Sequence, residues 1–198
     1  MGRDRSTRPG AEALRLFAAV DPSEEVLAAV SAAVQPWRER LPEGRWVRPE
    51  NWHVTLKFLG RTYPRLVPTV HEACREAAAS VARFDVSVAG MGVFPGPSRA
   101  RVLWVGLDDP AGGMPALARA LDEQLAEEFP PEKRAFTAHL TVARFNPPIP
   151  FRDHADDLAA TAIEAPPFAV EELVLYRSHL SPRGARYEPL ERFPLLAR

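Results

Sequence analysis

The chain has one cysteine, Cys74, only two lysines and no long apolar run. A single cysteine excludes an intrachain disulfide and a cysteine-built zinc site, and such sparing use of the thiol suits the reducing cytoplasm. No stretch approaches the ~18 apolar residues of a spanning helix, so no membrane association is expected. There is no charge excess either: 25 basic residues stand against 26 acidic ones, a formal net charge of -1. That balance excludes a protein that grips duplex DNA through its phosphates alone. The chain lacks a Gly-x-x-x-x-Gly-Lys-Ser/Thr phosphate loop. None of its five His pairs with another at His-x-x-x-His spacing, and His71 and His154 stand without a partner at metal-ligand spacing. Neither cofactor nor metal is therefore expected.

What is present fits one globular domain: 198 residues, 46% hydrophobic and 26% charged. The basic set is lopsided, with 23 Arg beside Lys57 and Lys133. Arg makes planar bidentate contacts to phosphate, although the 21 Pro and abundant Ala point first to a compositional bias. Residues 1–10 are charged and lead into no apolar segment, so they read as a flexible leader rather than a secretory signal.

The periodicity predicts a buried strand over 14–20. A helix follows, capped by Asp21, with Pro22 and Glu24 in its first turn and Pro36 at its end. Strands are expected over 45–47 and 52–59, a helix over 64–81, and strands over 84–89 and 102–107. A third helix is expected over 115–129, then a strand over 136–143 stopped by Pro147, Pro148 and Pro150. A closing hairpin over 168–176 and 185–190 turns at Ser181-Pro182-Arg183-Gly184. This order means an α+β fold with mostly antiparallel sheets and outer helices.

Two segments match each other: His53-Val54-Thr55-Leu56 and His139-Leu140-Thr141-Val142. With five His and seven Thr, a shuffled chain would contain His-x-Thr only about 0.2 times. Both segments fall in expected strands, where side chains alternate faces. His53, Thr55 and Lys57 then project one way, while Val54, Leu56 and Phe58 turn to a core. His139 and Thr141 likewise oppose Leu140 and Val142. Strict alternation also puts Arg144 with Leu140, so it reaches the His face only through a bulge.

Two imidazoles and two hydroxyls converging on one anion suit phosphodiester chemistry. An imidazole titrates near ~6.5, so one can hold a proton that the other lacks. Thr hydroxyls can donate to oxygens where charge grows as phosphorus becomes five-coordinate. Phe17 and Trp52 are candidates for stacking on a base.

The two motifs and their flanks resemble the 2H phosphoesterase superfamily, and within it the RNA 2′,3′-cyclic phosphodiesterases, also called 2′-5′ RNA ligases. The likeness runs through Arg15-Leu16-Phe17, Arg45-Trp46-Val47 and Pro49-Glu50-Asn51 into the first motif and on to Lys57-Phe58-Leu59-Gly60. It continues through Arg101-Val102-Leu103-Trp104-Val105-Gly106, Phe136-Thr137-Ala138 before the second motif, Ala143-Arg144, Leu175-Tyr176-Arg177-Ser178, Gly184 and Tyr187. Ala138 stands where the family usually has Pro. The resemblance implies a single bilobal catalytic domain over 11–198, with two mostly antiparallel sheets around a central groove.

It further implies His53 as proton donor, His139 as proton acceptor, and Thr55, Thr141 and Arg144 on the phosphate. No metal is implied. The implied reaction opens a terminal 2′,3′-cyclic phosphate to a 2′-phosphate, with 2′-5′ ligation possible without ATP. The implied partners are RNA ends or small nucleotides carrying that cyclic ester, acted on by a monomer with no obligate protein partner. Two alternatives stand beside it. One is a related enzyme for small cyclic nucleotides or ADP-ribose cyclic phosphate, and the other is a non-catalytic RNA-binding module.

Overall fold

The computed structural model describes residues 12–181 and 184–197. The expected leader and the tip of the last hairpin lie outside the described residues. β1 (Leu14–Val20) sends Leu16, Ala18 and Val20 into the core and turns Arg15 and Phe17 to the opposite face.

Helix α1 (Glu24–Arg40) is capped by Ser23 rather than Asp21. The Ser23 hydroxyl accepts the Val26 N–H at 3.3 Å. Asp21 is occupied elsewhere, accepting the Tyr176 hydroxyl at 2.8 Å and facing Arg192 at 3.4 Å. α1 also continues through Pro36, which forfeits one ladder bond. Trp37 anchors the turn beyond it: its indole N–H donates to Thr161 Oγ1 at 3.2 Å, and its ring stacks on Phe151 at 5.9 Å. Arg40 adds an ion pair to Asp157 at 2.5 Å.

The remaining elements are β2 (Arg45–Trp46), β3 (Val54–Thr62), α2 (Val67–Ala79), β4 (Phe84–Phe94), β5 (Ala100–Asp108) and α3 (Gly113–Gln124). They are followed by β6 (His139–Ile149), α4 (Ala155–Ala160), β7 (Phe168–Val170), β8 (Glu172–Ser181) and β9 (Gly184–Pro194). β6 does not stop before its prolines. Val102 pairs with Arg144 and Ala100 with Ile149, so Pro147 and Pro148 sit in a bulged stretch that needs no N–H for the ladder.

The strands run β7-β4-β5-β6-β3-β1-β8-β9, with β2 beside β6, and every pairing is antiparallel. The two expected sheets are the two halves of this path, which narrows at its centre to one bridge between β3 and β6, Val54 with Leu140.

The halves exchange helices. α1 follows β1 yet packs on Phe151, Thr161 and Asp157 of the other half, whereas α3 follows β5 yet lies on β3 and α2. One hydrophobic cluster runs through both. Among the described residues no helix is long and apolar enough to cross a membrane.

Candidate active site

The Val54–Leu140 bridge sets the geometry of the two motifs. Extending its antiparallel register by one residue on each side places His53 opposite Thr141 and Thr55 opposite His139. Directly opposed residues have Cβ atoms roughly 5 Å apart, and diagonal neighbours lie roughly 7–8 Å apart with their Cβ atoms somewhat closer. The two imidazoles therefore stand on a diagonal whose span suits a phosphate between them. Each is flanked by the hydroxyl of the other motif, as a local two-fold axis requires.

A matching pair of bulges completes this symmetry. The β1–β3 register passes from Ala18 with Lys57 to Ala19 with Thr55, skipping Leu56. The β5–β6 register passes from Leu103 with Ala143 to Trp104 with Thr141, skipping Val142. After each motif two consecutive residues are thus buried, Leu56 and Lys57 in one, Val142 and Ala143 in the other. The alternation reverses beyond them, so Phe58 and Arg144 return to the His/Thr face and line the groove.

Both outcomes differ from strict alternation. Arg144 joins the site through its bulge. Lys57 is carried away from it, only 2% exposed, with its ammonium paired to Asp122 and donating to the Pro130 carbonyl at 3.4 Å.

The imidazoles are held alike. His53 Nδ1 lies 2.9 Å from the Asn51 carbonyl and His139 Nδ1 2.8 Å from the Thr137 carbonyl. A carbonyl only accepts, so each Nδ1 carries its hydrogen and each Nε2 is the nitrogen free to gain or lose a proton. Phe17 stacks on His53 at 4.7 Å, with Tyr187 edge-on at 5.1 Å; Phe94 meets His139 edge-on at 5.2 Å. Burial pushes the His53 pKa down to about 4, against the opposing pull of the Asn51 carbonyl, and Arg144 and His139 lower it further. His139 is also lowered, by burial and then by Arg144. Without a bound anion the groove disfavours charge on either ring.

The groove encloses about 580 Å³ and gathers Arg15, Arg45, Arg48 and Arg144 around the two motifs. Arg15 lies over the Phe58 ring at 4.6 Å. Among the described residues no group of three or more His, Cys, Asp or Glu is placed to hold a metal ion.

The profile of the 2′-5′ RNA ligase superfamily matches residues 25–182. The chain belongs to that superfamily. It is similar to the RNA 2′,3′-cyclic phosphodiesterase of Methanothermobacter thermautotrophicus, with 34% identity over 92% of this chain and 99% of that protein. A Geobacillus stearothermophilus protein of the same description is 32% identical over 91% of this chain, which spans only 57% of that relative's length. The crystal structure of a Thermus thermophilus protein superposes with a TM-score of 0.76 at 30% identity, covering 92% of this chain and 98% of that one.

Within this 2′-5′ RNA ligase fold the remaining residues separate clearly. Thr55 and Thr141 line the groove beside the imidazoles. Phe17 does too, but it is 2% exposed, with its ring against His53 at 4.7 Å and Tyr176 at 5.2 Å and edge-on to Tyr187 at 5.0 Å. Buried in this way, it braces His53 and offers no platform to a base. Trp52 is buried in the core and does not line the groove.

Sequence reasoning missed Phe58 and Tyr187, aromatic rings that do line the groove, and the Arg15, Arg45 and Arg48 side chains on its wall. Arg15 shares its face of β1 with Phe17, which alternation alone discloses. The other two Arg come from a two-residue strand and a loop and carry no such signal.

Proposed function

We propose that the protein is a metal-independent RNA 2′,3′-cyclic phosphodiesterase that opens a terminal cyclic phosphate to a 2′-phosphate. The observation that carries this reading is the pair of imidazoles on one diagonal, each with Nδ1 tied to a carbonyl and Nε2 free. His139 takes a proton from water, the oxygen adds to phosphorus, the bond to O3′ breaks, and His53 gives O3′ its proton. Thr55, Thr141 and Arg144 donate to the non-bridging oxygens as their charge grows. The names of the relatives support the substrate class, and the groove's four Arg suit an RNA end better than a small cyclic nucleotide. The proposal includes a cytoplasmic monomer acting in RNA processing, with 11–198 as one catalytic domain. The same chemistry run with a 5′-hydroxyl in place of water gives 2′-5′ ligation.

The test is incubation of an RNA ending in 2′,3′-cyclic phosphate, with EDTA present, and identification of the phosphate position. A 2′-phosphate at undiminished rate is expected. A 3′-phosphate, or a rate lost on chelation, overturns the mechanism.

The pH profile checks the proton assignment. The active form holds one proton on the coupled pair. Both pKa values are lowered in the free protein, so that proton is lost below the usual imidazole range. The bell for kcat/KM, which reports the free enzyme, is expected to peak on the acidic side and to fall towards neutrality. The bound anion favours the protonated ring, so the kcat optimum is expected at higher pH. A kcat/KM that climbs to a plateau in alkali contradicts the paired roles.

A further inference from the structure

Beside His139 and Thr55 the groove continues into a second recess of about 320 Å³, a size at the lower end of small-molecule sites. Thr55, Phe58 and His139 line both spaces. The recess is otherwise walled by α3 and the segment before β6, with Pro115, Ala118 and Phe136 as apolar surface.

Its charges differ from those of the larger groove. Arg119 and Arg134 stand among Asp122, Glu123 and Glu132; Arg119 faces Glu123 at 3.9 Å, and Asp122 is engaged by Lys57. A further phosphate finds no surplus of cations there. A neutral, flat, partly apolar group does find a fit, and Phe58, 46% exposed, presents its ring at the mouth. Arg15, which lines only the larger groove, covers that ring from the other side.

Position on the reaction axis decides what that group is. The cross-paired motifs put His53, Thr141 and Arg144 at one end of the site and His139, Thr55 and Phe58 at the other. An attacking group that gives its proton to His139 arrives from the recess end, while O3′ departs towards His53. In-line displacement at phosphorus requires attacking and leaving oxygens on opposite sides.

We infer that the recess is the acceptor subsite for 2′-5′ ligation, holding the uncharged nucleoside of an RNA 5′ end with its 5′-hydroxyl aimed at the cyclic phosphate. This rests on the reaction proposed above. His139 takes the 5′-hydroxyl proton, the 5′ oxygen bonds to phosphorus, the bond to O3′ breaks, and O3′ receives the proton held by His53. The product is a 2′-5′ phosphodiester, and the cyclic ester itself supplies the leaving group.

The experiment incubates an RNA ending in 2′,3′-cyclic phosphate with a 5′-hydroxyl dinucleoside monophosphate and separates the 2′-phosphate from the 2′-5′-linked product. Ala118→Leu fills the recess and Phe136→Ala removes part of its wall; neither residue belongs to the reacting set. Each variant is expected to raise the acceptor KM about tenfold or more, the scale on which apolar pockets discriminate. Hydrolysis kcat/KM is expected to stay within about threefold, since no transition-state contact changes.

Unchanged acceptor KM in the folded variants overturns the assignment. So does hydrolysis without any ligated product at saturating acceptor. Absence of hydrolysis itself would instead sink the reaction proposed above. Titration of the protein with adenosine alone then decides the recess: binding lost in Phe136→Ala upholds it, and binding unaffected by that change overturns it.

Discussion

His53→Ala and His139→Ala are each expected to lower kcat/KM on an RNA 2′,3′-cyclic phosphate by about two to four orders of magnitude, the worth of a positioned acid or base. The double variant is expected to fall little below the worse single one, because the pair passes one proton and fails when either member is missing. Binding of the 2′-phosphate product should remain, since Thr55, Thr141 and Arg144 still line the groove. His53 is packed against both Phe17 and Tyr187, so His53→Gln, which keeps most of the volume, separates lost chemistry from lost packing. Loss of turnover in His53→Gln with product binding intact supports the catalytic role. Turnover within tenfold of the parent in both Ala variants would leave the imidazoles as bystanders. A wild-type chain that binds RNA and never turns over would mark a binding module instead.

The His-x-Thr pair was legible because strand periodicity and chemistry coincide over a few residues. Alternation alone assigns His53 and Thr55 to one face and Val54 and Leu56 to the core, and the structure places them so. It fails one step later, in both halves, at bulges formed at Leu56 and Val142. Neither bulge carries a glycine or other local signal. Each lies just beyond the Val54–Leu140 bridge where the two halves meet, and each re-aims the side chains that follow it. The consequences were opposite in sign: Arg144 was brought into the site and Lys57 taken out of it.

Asp21 shows the same limit for a cap. It precedes a helix with the right side chain, but Tyr176, over 150 residues downstream, claims its carboxylate. The second recess was invisible for a similar reason. Its walls come from β3, α3 and the segment before β6, and only the exchange of helices between the halves brings them together.

The displaced Lys57 carries the largest expected effect on stability. Its side chain is 1% exposed and its one carboxylate partner among the described residues is Asp122, 24% exposed, whose second oxygen accepts the Glu132 N–H at 3.3 Å. Removing one member of a buried ion pair strands the other, at a cost of about 3–5 kcal/mol, when the stranded charge cannot reach water. That condition holds for Lys57 and not for Asp122. Asp122→Ala should therefore cost about 3–5 kcal/mol and lower Tm by roughly 6–20 °C for a chain of this size.

Lys57→Met should cost distinctly less, because the aspartate left behind keeps water and the Glu132 N–H, and the new side chain fills the core. The double variant Lys57→Met with Asp122→Leu should recover most of the loss, since a well-packed apolar pair can replace a buried ionic one. Thermal and urea unfolding of the three proteins measures the order directly. Equal losses in the two single variants would mean that Lys57 reaches solvent by another route. The bulge at Leu56 would then not commit this side chain to the interior as the geometry implies.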